Sequence, residues 1–168
     1  MYRRLFLASL SAPLLLAACA GAIGPREFRT DATALDGTLI ALRHAERTGE
    51  DLNEVGIARA NELAAALDGV EIDGIYAPQT QRNIDTATPL AQAKGLEVQV
   101  IPAVDIARTM FKRQPGGTLV WVGNKDNLEA LWQEIGAAGA PPINYGEMFI
   151  VPMYGLSANG VERSRFGL

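Results

Sequence analysis

The only histidine of this 168-residue chain, His44, stands in Leu42-Arg43-His44-Ala45-Glu46-Arg47, directly after the apolar run Leu39-Ile40-Ala41-Leu42. Imidazole is half-protonated near neutral pH, so such a side chain attacks, accepts a proton or stays inert according to its neighbours. Here the sequence neighbours are cationic. Two further groups of the same promise follow: Arg82 in Gln81-Arg82-Asn83, just after Tyr76-Ala77-Pro78, and Asn124 after Trp121-Val122-Gly123. Guanidinium forks match the geometry of a phosphate and favour an anion with several equivalent oxygens. Taken singly, each residue has a plain explanation as a solvated loop histidine, an exposed helix arginine or a turn-forming asparagine. Taken jointly, they point to an anion site.

The elements that must position these residues alternate along the chain. Strands are expected at Thr38–Leu42, Gly74–Tyr76, Glu97–Ile101 and Thr118–Val122, each an apolar run followed by a polar or Pro/Gly segment. Helices are expected at Glu54–Leu67, Gln79–Lys94, Asp105–Phe111 and Asp126–Ile135, the first with Asn53 as N-cap and Val55, Ala58, Leu63, Ala66 and Leu67 roughly on one face. Two more strands are expected in the tail, at Glu147–Val151 and Gly160–Phe166. Strands alternating with helices of this length imply an α/β fold with a mainly parallel sheet covered on both faces, a three-layer α/β/α sandwich. Ligand sites of such sheets lie at the carboxyl ends of the strands. Arg43 and His44, Arg82, and Asn124 follow three of those ends, so the fold class itself predicts that they converge.

The amino-terminal stretch reads as separate from this domain. Met1 to Arg4 carry two positive charges, Leu5 to Leu16 are mostly apolar, and small residues follow, the pattern of a secretory signal over residues 1–18. Leu16-Ala17-Ala18-Cys19 resembles the lipobox of bacterial lipoproteins, which implies acylation of Cys19 and a membrane contact through a lipid anchor only. Ala20 after the cysteine, with no aspartate there, implies by resemblance to lipoprotein sorting rules the periplasmic face of the outer membrane. Residues 19–36 then read as the lipidated cysteine and a tether, and residues 37–168 as one domain. A single cysteine excludes a disulfide framework. Loss of Arg3 and Arg4 with the signal moves the formal charge from −4 to −6, which argues against nucleic acid as a partner.

The motifs together resemble the histidine phosphatase superfamily, its phosphoglycerate mutase-like branch that includes short bacterial phosphohistidine phosphatases. Leu42-Arg43-His44-Ala45-Glu46 matches the Arg-His signature, Leu52-Asn53-Glu54-Val55-Gly56-Ile57-Ala58-Arg59-Ala60 the following turn and helix, and Ile75-Tyr76-Ala77-Pro78 through Arg82 and Thr86-Ala87 the next strand and helix. Ser164-Arg165-Phe166-Gly167 is similar to the family's last strand, so the resemblance spans about Thr38 to Leu168. It implies a phosphoglycerate mutase-like fold and hydrolysis of a phosphomonoester or phosphohistidine through a phosphohistidine intermediate on His44. Arg43, Arg82 and Asn124 would bind the phosphoryl group of a phosphorylated small molecule or phosphoprotein, with no metal and no cofactor.

Two features depart from the family pattern. Where the family carries a Gly-His pair after the fourth strand, this chain reads Gly123-Asn124; asparagine donates a hydrogen bond but brings no imidazolium charge. Loss of one well-placed donor typically costs about 10²–10³ in rate, so weakened turnover is expected, with a non-catalytic phosphate-binding lipoprotein as the alternative. Lys125 is the nearby group that could restore charge. The usual serine before Pro78 is Ala77. The proton donor to the leaving group has two candidates, Asp105 after the third strand and Glu46 beside the nucleophile. Asp105 reads equally as an N-cap, and Glu46 as the ion-pair partner of an arginine.

Overall fold

The computed structural model describes residues 36–155 and 157–167; the signal segment, Cys19 and the tether up to residue 35 lie outside the described residues. In chain order the elements are β1 (Gly37–Arg43), β2 (Arg47–Thr48), β3 (Asp51–Leu52), α1 (Glu54–Ala66), β4 (Gly74–Ala77), α2 (Gln81–Lys94), β5 (Val98–Val100), α3 (Ile106–Arg113), β6 (Thr118–Gly123), α4 (Lys125–Glu134), β7 (Glu147–Tyr154), β8 (Ser157–Ala158) and β9 (Glu162–Arg165). The main sheet runs β5-β4-β6-β1-β7, with β8 and β9 both paired to β7. β5, β4, β6 and β1 are mutually parallel, and β7 joins β1 antiparallel. Its strands β8 and β9 are antiparallel to it as well.

Alternation along β1 divides the core in two, because successive side chains leave opposite faces of a strand. Leu39 and Ala41 pack with Ile106, Met110 and Phe111 of α3 and Leu128, Leu131 and Trp132 of α4. Ile40 and Leu42 pack with Leu63 of α1 and with Ala87, Leu90 and Ala91 of α2. The result is the three-layer sandwich, α1 and α2 on one face and α3 and α4 on the other. All four residues of β4 are buried, as expected for a strand covered on both faces.

Local chemistry sets the helix starts. Asn53 caps α1, its Oδ1 accepting the Gly56 N–H at 2.9 Å. Asp105 occupies the N-cap position of α3 in a left-handed conformation, φ +47°, without a side-chain cap bond. The free N–H groups of that helix are taken instead by Glu134 at the end of α4, which accepts from Ala107 N and Arg108 N at 3.2 and 2.9 Å. The hairpin β2–β3 is an addition to the expected elements. Its two-residue turn has Gly49 at φ +67° in the first central position and Glu50 in the second, a conformation only glycine adopts freely there.

Candidate active site

The pairing of β1 with β6 sets Arg43 opposite Gly123, so the residues that follow each strand start side by side. The His44 N–H donates to Gly123 O at 2.9 Å, extending the ladder one residue past β1. The chain then turns, and Ala45 N–H donates to Thr86 Oγ1 at 3.0 Å; the Thr86 hydroxyl in turn donates to Arg82 O at 2.7 Å. Asn83 Nδ2 donates to Val122 O at 2.9 Å. These bonds lock the first turns of α2 against the ends of β1 and β6, which brings Arg82 over His44.

His44 is 2 % exposed. Its Nδ1 lies 2.7 Å from Ala45 O, and since a carbonyl only accepts, Nδ1 carries the proton. Nε2 therefore holds the lone pair, and it accepts from Arg82 Nε at 3.3 Å. Burial lowers the imidazole pKa to about 4; the bond to Ala45 O opposes this, while the charges of Arg43, Arg82 and Arg47 add to it. His44 is thus neutral at neutral pH, with its free nitrogen facing a guanidinium.

Arg43 is held from the opposite side. Its Nη1 donates to Ile143 O at 2.9 Å, its Nη2 to Tyr145 Oη at 3.3 Å, and the guanidinium carbon sits 4.2 Å from the Tyr145 ring centroid. Its Nε is buried without a hydrogen-bond partner. The Tyr145 ring also approaches that of His44, with centroids 5.9 Å apart. Tyr145 was not among the expected site residues. The signal that finds it is topological: β7 is antiparallel to β1, so the loop leading into β7 lies at the same edge as the loops leaving the parallel strands.

The two proton-donor candidates fall in different places. Glu46 lies at the site loop, but Arg59 of α1 engages both of its oxygens, Nε at 3.0 and 2.8 Å and Nη2 at 2.6 Å. The Arg59 hydrogen bonds hold the Glu46 carboxyl below its ordinary pKa despite burial. Arg59 also donates from Nη1 to Phe166 O at 3.1 Å, tying the loop to the segment after β9. Asp105 is exposed beside Ala130, Leu131 and Glu134, at the carboxyl end of α4. The site lies at that helix's amino end, and ten helical residues span about 15 Å. The structure does not bring Asp105 to His44.

Asn124 is the N-cap of α4, in a capping box in which Asn127 Oδ1 accepts the Asn124 N–H at 2.8 Å. Asn124 Oδ1 is buried with no hydrogen bond. Lys125 follows on the exposed first turn. One carboxylate not among the expectations reaches the site: Glu50, at the tip of the β2–β3 hairpin, accepts from Arg82 Nη1 at 2.7 Å. Among the described residues, no group of three or more His, Cys, Asp or Glu is placed to hold a metal ion.

Residues 40–105 match the sequence pattern of the histidine phosphatase superfamily (branch 1). No curated protein matches the chain at a significant level. Among solved structures, YhfR of Bacillus stearothermophilus is similar over 73 % of this chain and 94 % of its own, with 17 % identity and a TM-score of 0.63. Mycobacterial glucosyl-3-phosphoglycerate phosphatase in complex with VO3 is similar over 76 % of this chain and 97 % of its own, at 15 % identity and TM-score 0.59. The protein histidine phosphatase SixA complexed with tungstate covers 77 % of this chain and 95 % of its own, at 14 % identity and TM-score 0.59. At these identities the likeness is one of fold. Over residues 40–105 the sequence is thus similar to the histidine phosphatase superfamily, and the described residues share the phosphoglycerate mutase-like α/β fold of these solved structures.

Proposed function

We propose that this protein hydrolyses a phosphomonoester or phosphohistidine through a phosphoryl intermediate on His44, at reduced rate. The observation that carries the reading is the state of His44: Nδ1–H is fixed on Ala45 O, Nε2 is unprotonated, and an arginine N–H faces it at 3.3 Å. An anion drawn in by Arg82 meets a lone pair already aimed at it. The buried, partnerless Nε of Arg43 supports the same reading, because an orphaned donor beside a nucleophile is satisfied by a phosphoryl oxygen. Arg43 and Arg82 would bind equatorial oxygens and stabilise the charge that spreads over them in transfer; positioning and electrostatics are the main protein contribution to such reactions. Tyr145 would position Arg43 from behind. The oxyanions VO3 and tungstate in complexes of similar fold suit a site built for phosphate.

One observation favours a second reading. Asn124 stands where the resemblance expects an imidazole, and a carboxamide carries no positive charge, so the pocket could bind phosphate without turning it over. Hydrolysis of a generic aryl phosphate by the wild type, His44→Ala and Asn124→His separates the two. Turnover on His44 predicts a loss of at least about 10³-fold in His44→Ala and a gain of about tenfold or more in Asn124→His. The absence of both effects removes the hydrolase reading. Phosphate-dependent thermal stabilisation that disappears in Arg82→Ala, without turnover, would then support an anion-binding protein.

We further infer an N-terminal lipid anchor at Cys19 and a place at the periplasmic face of the outer membrane, from the lipobox-like Leu16-Ala17-Ala18-Cys19. Among the described residues no helix is long and apolar enough to cross a membrane. Chain direction bears on this proposal. The described domain begins at the amino end of β1 and the site lies past its carboxyl end, seven residues or about 23 Å away, so a tether before residue 37 would enter at the edge of the sheet opposite the site.

A further inference from the structure

We propose that Glu50, at the tip of the β2–β3 hairpin, is the proton donor to the leaving group, a role that rests on the phosphatase reading above. The other carboxylates around the site are committed elsewhere. Glu46 is held as an anion by three contacts from Arg59, and Asp105 lies at the far end of α4. Glu147, which follows the Tyr145 loop, takes Asn144 N–H at 3.0 Å and Asn144 Nδ2 at 2.8 Å. Glu50 has one partner, Arg82 Nη1, and its side chain is 80 % exposed. One guanidinium therefore separates its carboxylate from the nucleophilic atom: Nη1 meets Glu50 at 2.7 Å, and Nε of the same group meets His44 Nε2 at 3.3 Å.

Glu50 occupies part of the fork that an incoming phosphoryl group would use. When the phosphoryl oxygens take Arg82, the displaced carboxylate is left against a second anion. A hairpin whose turn is set by Gly49 keeps the side chain at the mouth of the site, and its exposure lets it exchange protons with water. In the first step the P–O bond to the leaving group breaks as the Nε2–P bond forms, and the Glu50 proton goes to the leaving oxygen. In the second step water attacks phosphorus, its proton passes to the Glu50 carboxylate, and the Nε2–P electron pair returns to nitrogen, releasing phosphate.

The test is a series of phosphate monoesters whose leaving groups run from 4-nitrophenol to simple alcohols, hydrolysed by the full chain and by Glu50→Gln. A proton donor matters most where the leaving oxygen is most basic. The expected loss of kcat/KM in Glu50→Gln is about tenfold for the nitrophenyl ester and grows to about 10²–10³-fold for an alkyl ester. Asp51→Asn, which removes the same charge from the hairpin away from Arg82, leaves the series unchanged. A loss of equal size on every ester would overturn the proposal and assign Glu50 to holding Arg82; no loss on any would overturn it outright. Either result leaves the phosphatase reading standing, whereas failure of the wild type on every ester removes this proposal together with the phosphomonoester reading.

Discussion

His44 combines burial with three nearby cations, and both press the imidazole toward its neutral form, to a pKa of about 4 from an ordinary 6.5. The sign of the resulting pH dependence follows from proton uptake. Between pH 6.5 and about 4 the unfolded chain protonates this histidine and the folded chain does not, so folding stability falls as pH drops through that window. The shift corresponds to about 3 kcal/mol once pH is below about 4. Glu46 acts in the same direction but lower, since its depressed pKa adds stability that is lost as pH falls below the ordinary carboxylate value of 4.5. Because the chain has a single histidine, one set of imidazole NMR signals reports the titration directly. We expect a midpoint near 4 in the free protein and a rise when inorganic phosphate is added, since an anion held between Arg82 and the ring favours imidazolium. A midpoint near 6.5 without phosphate would show the ring to be solvated and would undercut the proposed role of His44 as a buried nucleophile.

The elements that hold His44 meet it through backbone rather than through side chains, and α1 shows the consequence. Gly56, in its first turn, lies over the loop that carries Glu46: a Cβ there would fall on the Glu46 carbonyl oxygen and come within 2.9 and 3.0 Å of its carbonyl carbon and nitrogen. Glycine to alanine in a helix ordinarily stabilises by up to about 1 kcal/mol. Gly56→Ala is expected instead to cost roughly 1–3 kcal/mol, since a backbone segment cannot move aside as a flexible side chain can. Urea unfolding measures it, and phosphatase activity should fall with stability because Glu46 would leave Arg59. Stabilisation by the substitution would show that the loop is not packed on the helix. This contact was half legible in the sequence. Asn53 as a cap and the helix over residues 54–66 follow from local chemistry, whereas the approach of Glu46 follows from the turn after β1 and has no periodic signature. For the same reason the two-residue strands of the β2–β3 hairpin and β8 were missed, being too short for alternation to show. The four helices and the longer strands match expectation within two residues at either end, except β7, which runs three residues past the expected Val151 to Tyr154.

Across the whole molecule, the site is assembled by contacts between distant parts of the chain: Arg43 to Ile143, His44 to Gly123, and Arg59 to Phe166. The convergence of the β1, β4 and β6 ends was readable, because the carboxyl edge of a parallel sheet is a consequence of α/β alternation. Tyr145 and the Phe166 anchor were not, because they depend on β7 running antiparallel to β1 and on β9 returning along it. Such long-range closure implies that the His44 loop is only as firm as the last strand that braces it. Phe166 is the place to probe this. Its ring is 6 % exposed against Leu42, Met148 and the α1 side of the core, and its carbonyl receives Arg59. Phe166→Ala is expected to cost about 3–5 kcal/mol of stability by deleting buried apolar surface. For a domain of this size that is a fall in Tm of about 10–20 °C. Phe166→Leu keeps most of the packing and all of the carbonyl, so it should cost under about 1.5 kcal/mol. If the brace reaches the site, the proposed phosphate-ester hydrolysis falls in Phe166→Ala even at temperatures where the protein remains folded, while Phe166→Leu stays near wild type. Full activity in folded Phe166→Ala would mean that Arg59 and Glu46 hold the loop without help from the final strand.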